Sequence, residues 1–149
     1  MTDWNNKKYI AEYGHFKIND EKNKYKLDIS NYFPNSTAGN SFGDSMNAFQ
    51  SHNKMSFSTY DSDNDMRFYD NCAQIFKSGW WFNACFQANL NGAYYKYSDK
   101  NLMTGMWKSR RLRQEENSQL RYLRNGIHWN SIDFYKSLKA TKLRIRRNK

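Results

Sequence analysis

The chain has 149 residues and a formal net charge of +10, with 38% hydrophobic and 17% aromatic residues, two cysteines and one proline. This composition excludes a transmembrane protein, a collagen-like repeat and a large multidomain assembly. Valine is absent, so we expect a core built from Trp, Tyr and Phe rings together with Leu, Ile and Met.

The N-terminal residues predict an antiparallel hairpin. Residues 9–13 and 15–18 have the composition of a strand, and Tyr25, Leu27 and Ile29 alternate with polar side chains in the period-2 pattern of a half-buried strand. Residues 19–23 are polar and supply the turn between the two strands. From residue 31 to residue 50 the composition is that of a loop, with a short helical turn expected around residues 44–49.

Short strands and loops held by aromatic rings are expected in the rest of the chain. Residues 55–59 alternate once more, and aromatic segments punctuated by Gly and Asn follow at 78–82, 89–95 and 126–129. Residues 107–124 mix Leu with Arg, Gln and Glu without convincing helix caps, so we interpret them as part of an inserted loop. Residues 143–146 alternate apolar and basic side chains, which predicts a strand returning to the sheet.

The net charge is confined to the C-terminal part of the chain. Residues 1–106 carry 11 cationic and 11 anionic side chains, whereas residues 107–149 carry 13 and three. Such a region is either a solvated basic face or a surface for phosphate, sulfated glycan or anionic lipid. It has no zinc-finger, RRM or helix-turn-helix pattern, so a nucleic-acid partner is not expected.

Three aspartates at alternate positions, Asp61, Asp63 and Asp65, form an acidic cluster. If the backbone loops around one point, their oxygens are the hard ligands that Ca²⁺ requires. An EF-hand is excluded because Met66 stands where that loop needs Gly and Cys72 where it needs Glu. A calcium loop and a solvated Asp/Asn turn both remain open on spacing alone.

The two cysteines, Cys72 and Cys85, lack the spacing of a redox or zinc site. They form either one disulfide or two buried thiols. Asn35 begins an Asn-Ser-Thr acceptor for N-glycosylation beside Pro34, which suits an exposed turn of a secreted protein. The first eight residues are polar where a signal peptide would begin its apolar region, so secretion implies that the sequence is a fragment.

The sequence offers no catalytic constellation. Its three histidines, His15, His52 and His128, accompany no Ser or Cys nucleophile in a recognised motif. His128 lies between Ile127 and Trp129, so a packed structural histidine is the simpler interpretation. We therefore do not expect an enzyme.

A series of longer motifs runs along nearly the whole chain. In the second half they are FSTYDSDND at 57–65, NCA at 71–73, GWWFNAC at 79–85, NLNG at 89–92, GIHW at 126–129 and SLK at 137–139. Upstream they are DW at 3–4, YIAEY at 9–13, FKI at 16–18, YKL at 25–27 and GDSM at 43–46. In order and spacing these motifs closely resemble the C-terminal domain of fibrinogen-related proteins.

The resemblance implies an α+β fold: a twisted antiparallel sheet with short helices and a loop-rich, calcium-binding C-terminal lobe. Domains of that family begin well before the first motif, so we expect a domain truncated at its N-terminus, with an exposed sheet edge that invites association. On this basis residues 1–50 belong to the central sheet lobe and residues 51–142 to a calcium- and ligand-binding lobe with an insertion near 103–122. Residues 143–149 are the returning strand and a basic tail.

The resemblance also implies a structural Ca²⁺ site. The family's calcium motif maps onto the carboxylates of Asp63 and Asp65, and its backbone carbonyl ligands map onto Phe68 and Asp70. The family's binding-lobe disulfide corresponds to Cys72 and Cys85. Without a cation the clustered aspartates would repel one another, which is the physical reason to expect metal.

A ligand pocket follows from the same resemblance. In relatives the peptide bond before the second cysteine, here Ala84-Cys85, is cis and directs backbone N–H groups toward a shallow pocket. Phe86 takes the place of a common histidine, and Phe76 and Tyr95 are candidates for the remaining aromatic wall.

Basic residues adjoin the expected pocket in sequence. Arg124, with Arg110, Arg111 and Arg113, favours an anionic ligand. Three further aromatic residues are expected in the structural core rather than at a ligand: Trp80, Trp81 and Trp129.

The leading functional expectation is a secreted, non-catalytic, calcium-dependent lectin-like domain that binds acetylated or anionic glycans, as in innate immunity. A protein-interaction module of extracellular signalling or matrix, with a receptor as its partner, is the second. Polyanion binding through residues 107–149 and a nonfunctional gene fragment are the others. Relatives oligomerise through N-terminal coiled-coil or collagen-like segments, which these residues do not contain.

Overall fold

Residues 1–43, 48–95, 126–134 and 136–147 are described by the computed structural model of the chain. Among them no helix is long and apolar enough to cross a membrane. The insertion expected near 103–122 lies outside the described residues, as do the arginines at 110, 111, 113 and 124. The proposed division into lobes therefore stays a prediction.

The N-terminal hairpin is confirmed. Strand β1, Tyr13–Ile18, pairs antiparallel with strand β2, Leu27–Tyr32, in a register that places Phe16 opposite Ile29. Residues 9–12, predicted as part of the first strand, lie outside it. A 3-10 turn at Glu21–Asn23 connects the strands, and the Asp20 side chain caps it by accepting a hydrogen bond from the Asn23 N–H.

Strand β2 also forms backbone hydrogen bonds with residues 54 and 55. The Leu27 N–H donates to the Met55 carbonyl at 2.9 Å, and the Lys54 N–H donates to the Leu27 carbonyl at 2.8 Å. Residues 55–59, predicted as a strand, contribute two isolated pairings instead, Ser58 with Trp80 and Thr59 with Ser62. The other short elements of the described chain are a 3-10 turn at Ala48–Gln50, helix α1 at Cys72–Phe76, and the paired strands β3, Ala88–Asn89, and β4, His128–Trp129.

The prediction of a strand at residues 143–146 is wrong. Among the described residues, the last pairing of the chain is that of Ala140 with Thr2, and residues 141–147 have no strand partner. Leu143 and Ile145 are 58% and 63% exposed. Alternation gives a segment two chemically different sides, but a strand also needs a neighbouring backbone to pair with.

The core is aromatic, as the composition predicts. Phe42 lies at its centre, with ring centroids 5.0 Å from Trp80 and 5.8 Å from Trp81. Trp80, Trp81 and Trp129 are 3%, 7% and 2% exposed, which confirms their expected structural role. The Trp129 Nε1–H lies 3.0 Å from the carbonyls of both Ala38 and Gly39. The rings therefore join the hairpin side of the molecule to the segments that carry the cysteines.

Candidate calcium loop and ligand-binding face

Helix α1 positions the first cysteine. The Asn71 side chain caps the helix by accepting from the Gln74 N–H at 3.0 Å, and Lys77 ends it in the left-handed conformation with φ 51°. Cys72 and Cys85 form the expected disulfide, with their Cα atoms 5.7 Å apart. The alternative of two free thiols is thereby excluded.

The carboxylate of Asp65 organises the loop before the helix. Its Oδ1 accepts the Arg67 N–H at 2.8 Å, and its Oδ2 accepts the Cys72 N–H at 2.7 Å. The Asp63 Oδ1 accepts the Asp65 N–H at 3.1 Å, which places the two carboxylates beside each other. Burial, with a smaller contribution from the charge of Asp63, raises the pKa of Asp65 above its ordinary value. The loop therefore holds a carboxylate whose charge is only partly compensated.

The other acids of the loop have partners of their own. Asp61 accepts the Thr59 hydroxyl at 2.7 Å, which lowers the pKa of Asp61. The carboxylate of Asp70 pairs with the Arg67 guanidinium at 2.7 Å. Among the described residues, no three acidic, His or Cys side chains converge as a metal cluster.

The donor set predicted by the resemblance fits Ca²⁺ by its chemistry. It consists of the side chains of Asp63 and Asp65 and the carbonyls of Phe68 and Asp70, all hard oxygens. Neither carbonyl accepts a hydrogen bond from the part of the chain that the structure describes. The set thus consists of two neighbouring carboxylates and two carbonyls that accept no hydrogen bond among the described residues, and calcium binding by it stays a prediction.

The second cysteine lies at the predicted backbone turn. The Ala84-Cys85 peptide bond is cis. The Ala84 N–H donates to the Phe49 carbonyl at 3.0 Å, and the Asn83 N–H donates to the Cys85 carbonyl at 2.7 Å. The Cys85 N–H donates to no acceptor among the described residues. Its use as a donor to a ligand stays a prediction.

Two of the aromatic side chains predicted to line the ligand pocket lie in the core instead. Phe76 and Phe86 pack edge to face, with ring centroids 4.7 Å apart, and are 7% and 1% exposed. Both rings belong to the core and present little surface to a ligand, although Phe86 directly follows Cys85. Tyr95 is half-buried. Contact of these rings with a ligand stays a prediction, as does the role of Arg124, which lies outside the described residues.

The predicted glycosylation acceptor lies on the surface. Asn35 is exposed and stands in a turn after Pro34. The two residues that follow it are anchored, because the Ser36 hydroxyl accepts the Glu12 N–H and the Thr37 hydroxyl accepts the Ile10 N–H, each at 3.0 Å. Modification of Asn35 remains a prediction.

A family model described as fibrinogen beta and gamma chains, C-terminal globular domain, matches residues 1–148. The chain belongs to the fibrinogen C-terminal domain family. Human fibrinogen gamma chain is 41% identical over 128 residues, covering 74% of this chain and 28% of the relative. Human angiopoietin-related protein 7 is 44% identical over 101 residues, covering 68% and 27%.

Solved structures of fibrinogen-like domains are similar along most of this fibrinogen C-terminal domain. The fibrinogen-like globe domain of human ANGPTL2 has a TM-score of 0.68 and 34% identity, covering 93% of this chain and 51% of that one. The lamprey fibrin D-dimer complexed with the peptide ligand Gly-His-Arg-Pro-amide has a TM-score of 0.69 and 34% identity, covering 93% and 40%. These likenesses confirm the expected family and fold class. The chain spans only 27% to 32% of the length of the curated relatives it matches.

In this fibrinogen C-terminal domain the acidic loop and the Ala84-Cys85 turn are directly connected. The Asp65 carboxylate holds the Cys72 N–H, and Cys72 carries the disulfide to Cys85. The Met66 N–H donates to the Asn83 carbonyl at 3.2 Å. The acidic loop is therefore joined by hydrogen bonds and the disulfide to the residues around the Cys85 N–H.

His52 supports the same region and was not singled out from the sequence. Its ring is fully buried; Nδ1 donates to the Trp81 carbonyl at 2.7 Å, while Nε2 accepts the N–H groups of Gln87 and Ala88 at 3.1 and 3.0 Å. The ring thereby joins the backbone on both sides of Cys85. No local pattern marks this role, because all three partners are backbone atoms about thirty residues away.

Proposed function

We propose that this chain is the binding part of a non-catalytic extracellular recognition domain, stabilised by Ca²⁺, whose ligand docks at the Ala84-Cys85 turn. The observation that carries the proposal is the Cys85 N–H, which has no acceptor among the described residues and lies beside a disulfide tied to the acidic loop. A single backbone N–H suits the carbonyl oxygen of an acetyl group or a peptide. The disulfide fits an oxidising, extracellular compartment.

Catalysis finds no support in the described chemistry. Both cysteines are joined in the disulfide, and both ring nitrogens of His52 are engaged by backbone groups. His128 is fully buried against Phe86. A nucleophile and a base within reach of a substrate are what hydrolytic chemistry would require.

The leading ligand class is an acetylated glycan, with an anionic sugar favoured if Arg124 reaches the site. The alternative is a peptide or protein partner. It is favoured by the lamprey relative, whose solved structure holds a Gly-His-Arg-Pro-amide peptide. Both ligands would use the Cys85 N–H, so the same measurement can compare them.

The ligand test is nuclear magnetic resonance on isotope-labelled protein in calcium. We expect N-acetylglucosamine to shift the Cys85 amide resonance, and glucosamine, which lacks the acetyl carbonyl, to leave it unchanged. A shift with Gly-His-Arg-Pro-amide alone would favour the peptide-binding alternative. If neither probe moves the Cys85 resonance, the proposed ligand face is wrong.

The calcium proposal is tested by thermal unfolding of the unreduced protein. A bound ion at a hundredfold over its dissociation constant should stabilise the fold by about 2.7 kcal/mol relative to chelator. We expect Asp65→Asn to abolish this shift and Asp61→Asn, a matched change in the same loop, to retain it. A midpoint indifferent to calcium, or a loss with Asp61→Asn alone, would contradict the assignment.

A further inference from the structure

The fold brings basic residues from the two ends of the chain together. Thr2 pairs with Lys8 on one side and with Ala140 on the other. The Thr2 N–H donates to the Ala140 carbonyl at 2.8 Å, and the Lys139 N–H donates to the Thr2 carbonyl at 2.9 Å. The Lys139 ammonium also donates to the Asn6 side chain at 2.6 Å. The lysines of the first ten residues therefore adjoin the basic C-terminal segment.

The cations of this surface are largely uncompensated. Lys7, Lys8, Lys142, Arg144 and Arg146 are exposed, and none of them forms an ion pair with a carboxylate among the described residues. Positive charges held close together repel one another, and a polyanion that binds them relieves this repulsion.

Two acids lie in the same region, and one of them, Asp3, offsets part of the charge of Lys7. The Asp3 carboxylate accepts the N–H groups of Asn5 and Lys7, both at 2.9 Å, and the Tyr9 hydroxyl at 3.1 Å. The Asp133 carboxylate accepts the Lys136 N–H at 2.9 Å. The balance of charge on this surface therefore remains positive.

The shape of the C-terminal segment indicates what kind of anion fits. Residues 141–147 contain no helix, turn or bend. Lys142, Arg144 and Arg146 form a row of exposed cations at alternate positions of this segment, with the exposed Leu143 and Ile145 between them. Cations that follow one another along an exposed segment suit a linear polyanion, whose negative charges also follow one another.

We propose that six cations form a calcium-independent binding surface for a linear sulfated polysaccharide: Lys7, Lys8, Lys139, Lys142, Arg144 and Arg146. Sulfate groups along such a chain can meet the row one after another. The Cys72–Cys85 disulfide indicates an oxidising compartment, which favours an extracellular sulfated polysaccharide over an intracellular nucleic acid. The surface uses none of the residues proposed for calcium or for the Ala84-Cys85 ligand face.

The test is a titration of the full chain with a heparin octasaccharide at several NaCl concentrations, with chelator present. We expect the triple variant Lys142→Gln/Arg144→Gln/Arg146→Gln to weaken binding about tenfold at physiological salt. The slope of log K against log NaCl concentration should become shallower by up to about three, one for each lost cation contact. Lys7→Gln/Lys8→Gln should weaken binding severalfold. The matched control Lys17→Gln/Lys22→Gln/Lys26→Gln removes the same charge from the hairpin and should bind within about twofold of the parent chain. Circular dichroism confirms that each variant is folded.

Several outcomes would overturn the proposal. Equal weakening by the tail and hairpin triple variants would show that only net charge matters. Unchanged binding by the Lys7/Lys8 variant would mean that the N-terminal lysines take no part. Calcium-dependent binding would move the ligand to the acidic loop. Equal affinity for single-stranded DNA of similar length, or capture by phosphatidylserine vesicles that heparin does not compete away, would assign the surface to another class of partner.

Discussion

His52 is fully buried, and its environment favours the neutral ring. Burial lowers the pKa of His52 from 6.5 to about 4, although the Trp81 carbonyl that accepts from Nδ1 acts in the opposite direction. A proton on Nε2 would face the N–H groups of Gln87 and Ala88, which are themselves donors. Protonation therefore opposes the native arrangement on both sides of Cys85.

The sign of the resulting pH dependence follows from linkage. The unfolded chain binds the His52 proton below about pH 6.5, whereas the folded chain binds it only below about pH 4. The stabilising contribution is complete above the unfolded pKa and is lost as pH falls through this window, by at most about 3 kcal/mol. We expect urea unfolding between about pH 7 and pH 4.5 to show this loss. His52→Gln should flatten the slope and the exposed His15→Gln should not; equal slopes in all three proteins would contradict the assignment.

Asp63 offers a second prediction at the scale of a residue. The raised pKa of Asp65 has burial as its largest cause and the charge of Asp63 as a smaller one, so the ionised pair costs stability when no cation is present. We expect Asp63→Asn to raise the unfolding midpoint in chelator and to lower it in saturating calcium. Asp61→Asn should change neither by much, because Asp61 already pairs with Thr59. A change of the same sign in both buffers would argue against a metal at this loop.

At the scale of elements, the described chain depends on close backbone contacts more than on long strands. The strands β3 and β4 have two residues each, and an isolated parallel pairing joins Ala93 to Gly126 beside them. A Cβ added at Gly92 would lie 1.9 Å from the Gly126 carbonyl oxygen. Backbone cannot rotate away as a side chain can, so the contact requires glycine.

We therefore expect Gly92→Ala to destabilise the fold by about 2 to 4 kcal/mol through overpacking against the backbone. Gly14→Ala in β1 is the matched control, because its added Cβ would lie 3.1 Å from the Asn31 side chain. We expect that control to cost less than about 1 kcal/mol. Urea unfolding measures both, and equal losses would mean that the contact between Gly92 and Gly126 is not the cause.

At the scale of the whole molecule, one aromatic core unites segments far apart in the chain. The Trp81 Nε1–H donates to the Tyr25 carbonyl at 2.8 Å, and Trp129 reaches Ala38 and Gly39. The pairing of Ala93 with Gly126 brings together the two sides of residues 96–125. The residues on either side of that segment are therefore held next to each other by backbone pairing.

This arrangement predicts that residues 96–125 can be shortened. A parallel pair needs a connection of about a dozen residues, so a Gly/Ser linker of roughly that length should preserve the pairing. We expect the shortened protein to keep cooperative thermal unfolding and the Cys72–Cys85 disulfide. It should also still bind heparin, since Lys142, Arg144 and Arg146 remain. Loss of cooperative unfolding would show that the removed segment stabilises the core.

The sequence by itself determined the hairpin through local alternation and the family through its motifs. The disulfide followed from the family resemblance, since the cysteines alone left two buried thiols open. Alternation at Leu27 and Ile29 marks a half-buried strand wherever a partner strand follows closely. The motifs around Cys72 and Cys85 are specific enough to identify the fold. Asp63 and Asp65 lie side by side, but their role as calcium ligands stays a prediction. The same alternation failed at residues 143–146, since no backbone lies beside them in the described chain.

Only the tertiary structure decided which side chains face the core and which charges lie together. Phe76 and Phe86 were predicted to line a ligand pocket, but their rings pack against each other in the core. The role of His52 depends on its hydrogen bonds to the Trp81 carbonyl and to the N–H groups of Gln87 and Ala88. The basic surface likewise required Thr2 to bring Lys8 beside the C-terminal segment. These features depend on contacts between residues far apart in the chain, and local residue patterns carry no information on where such partners lie.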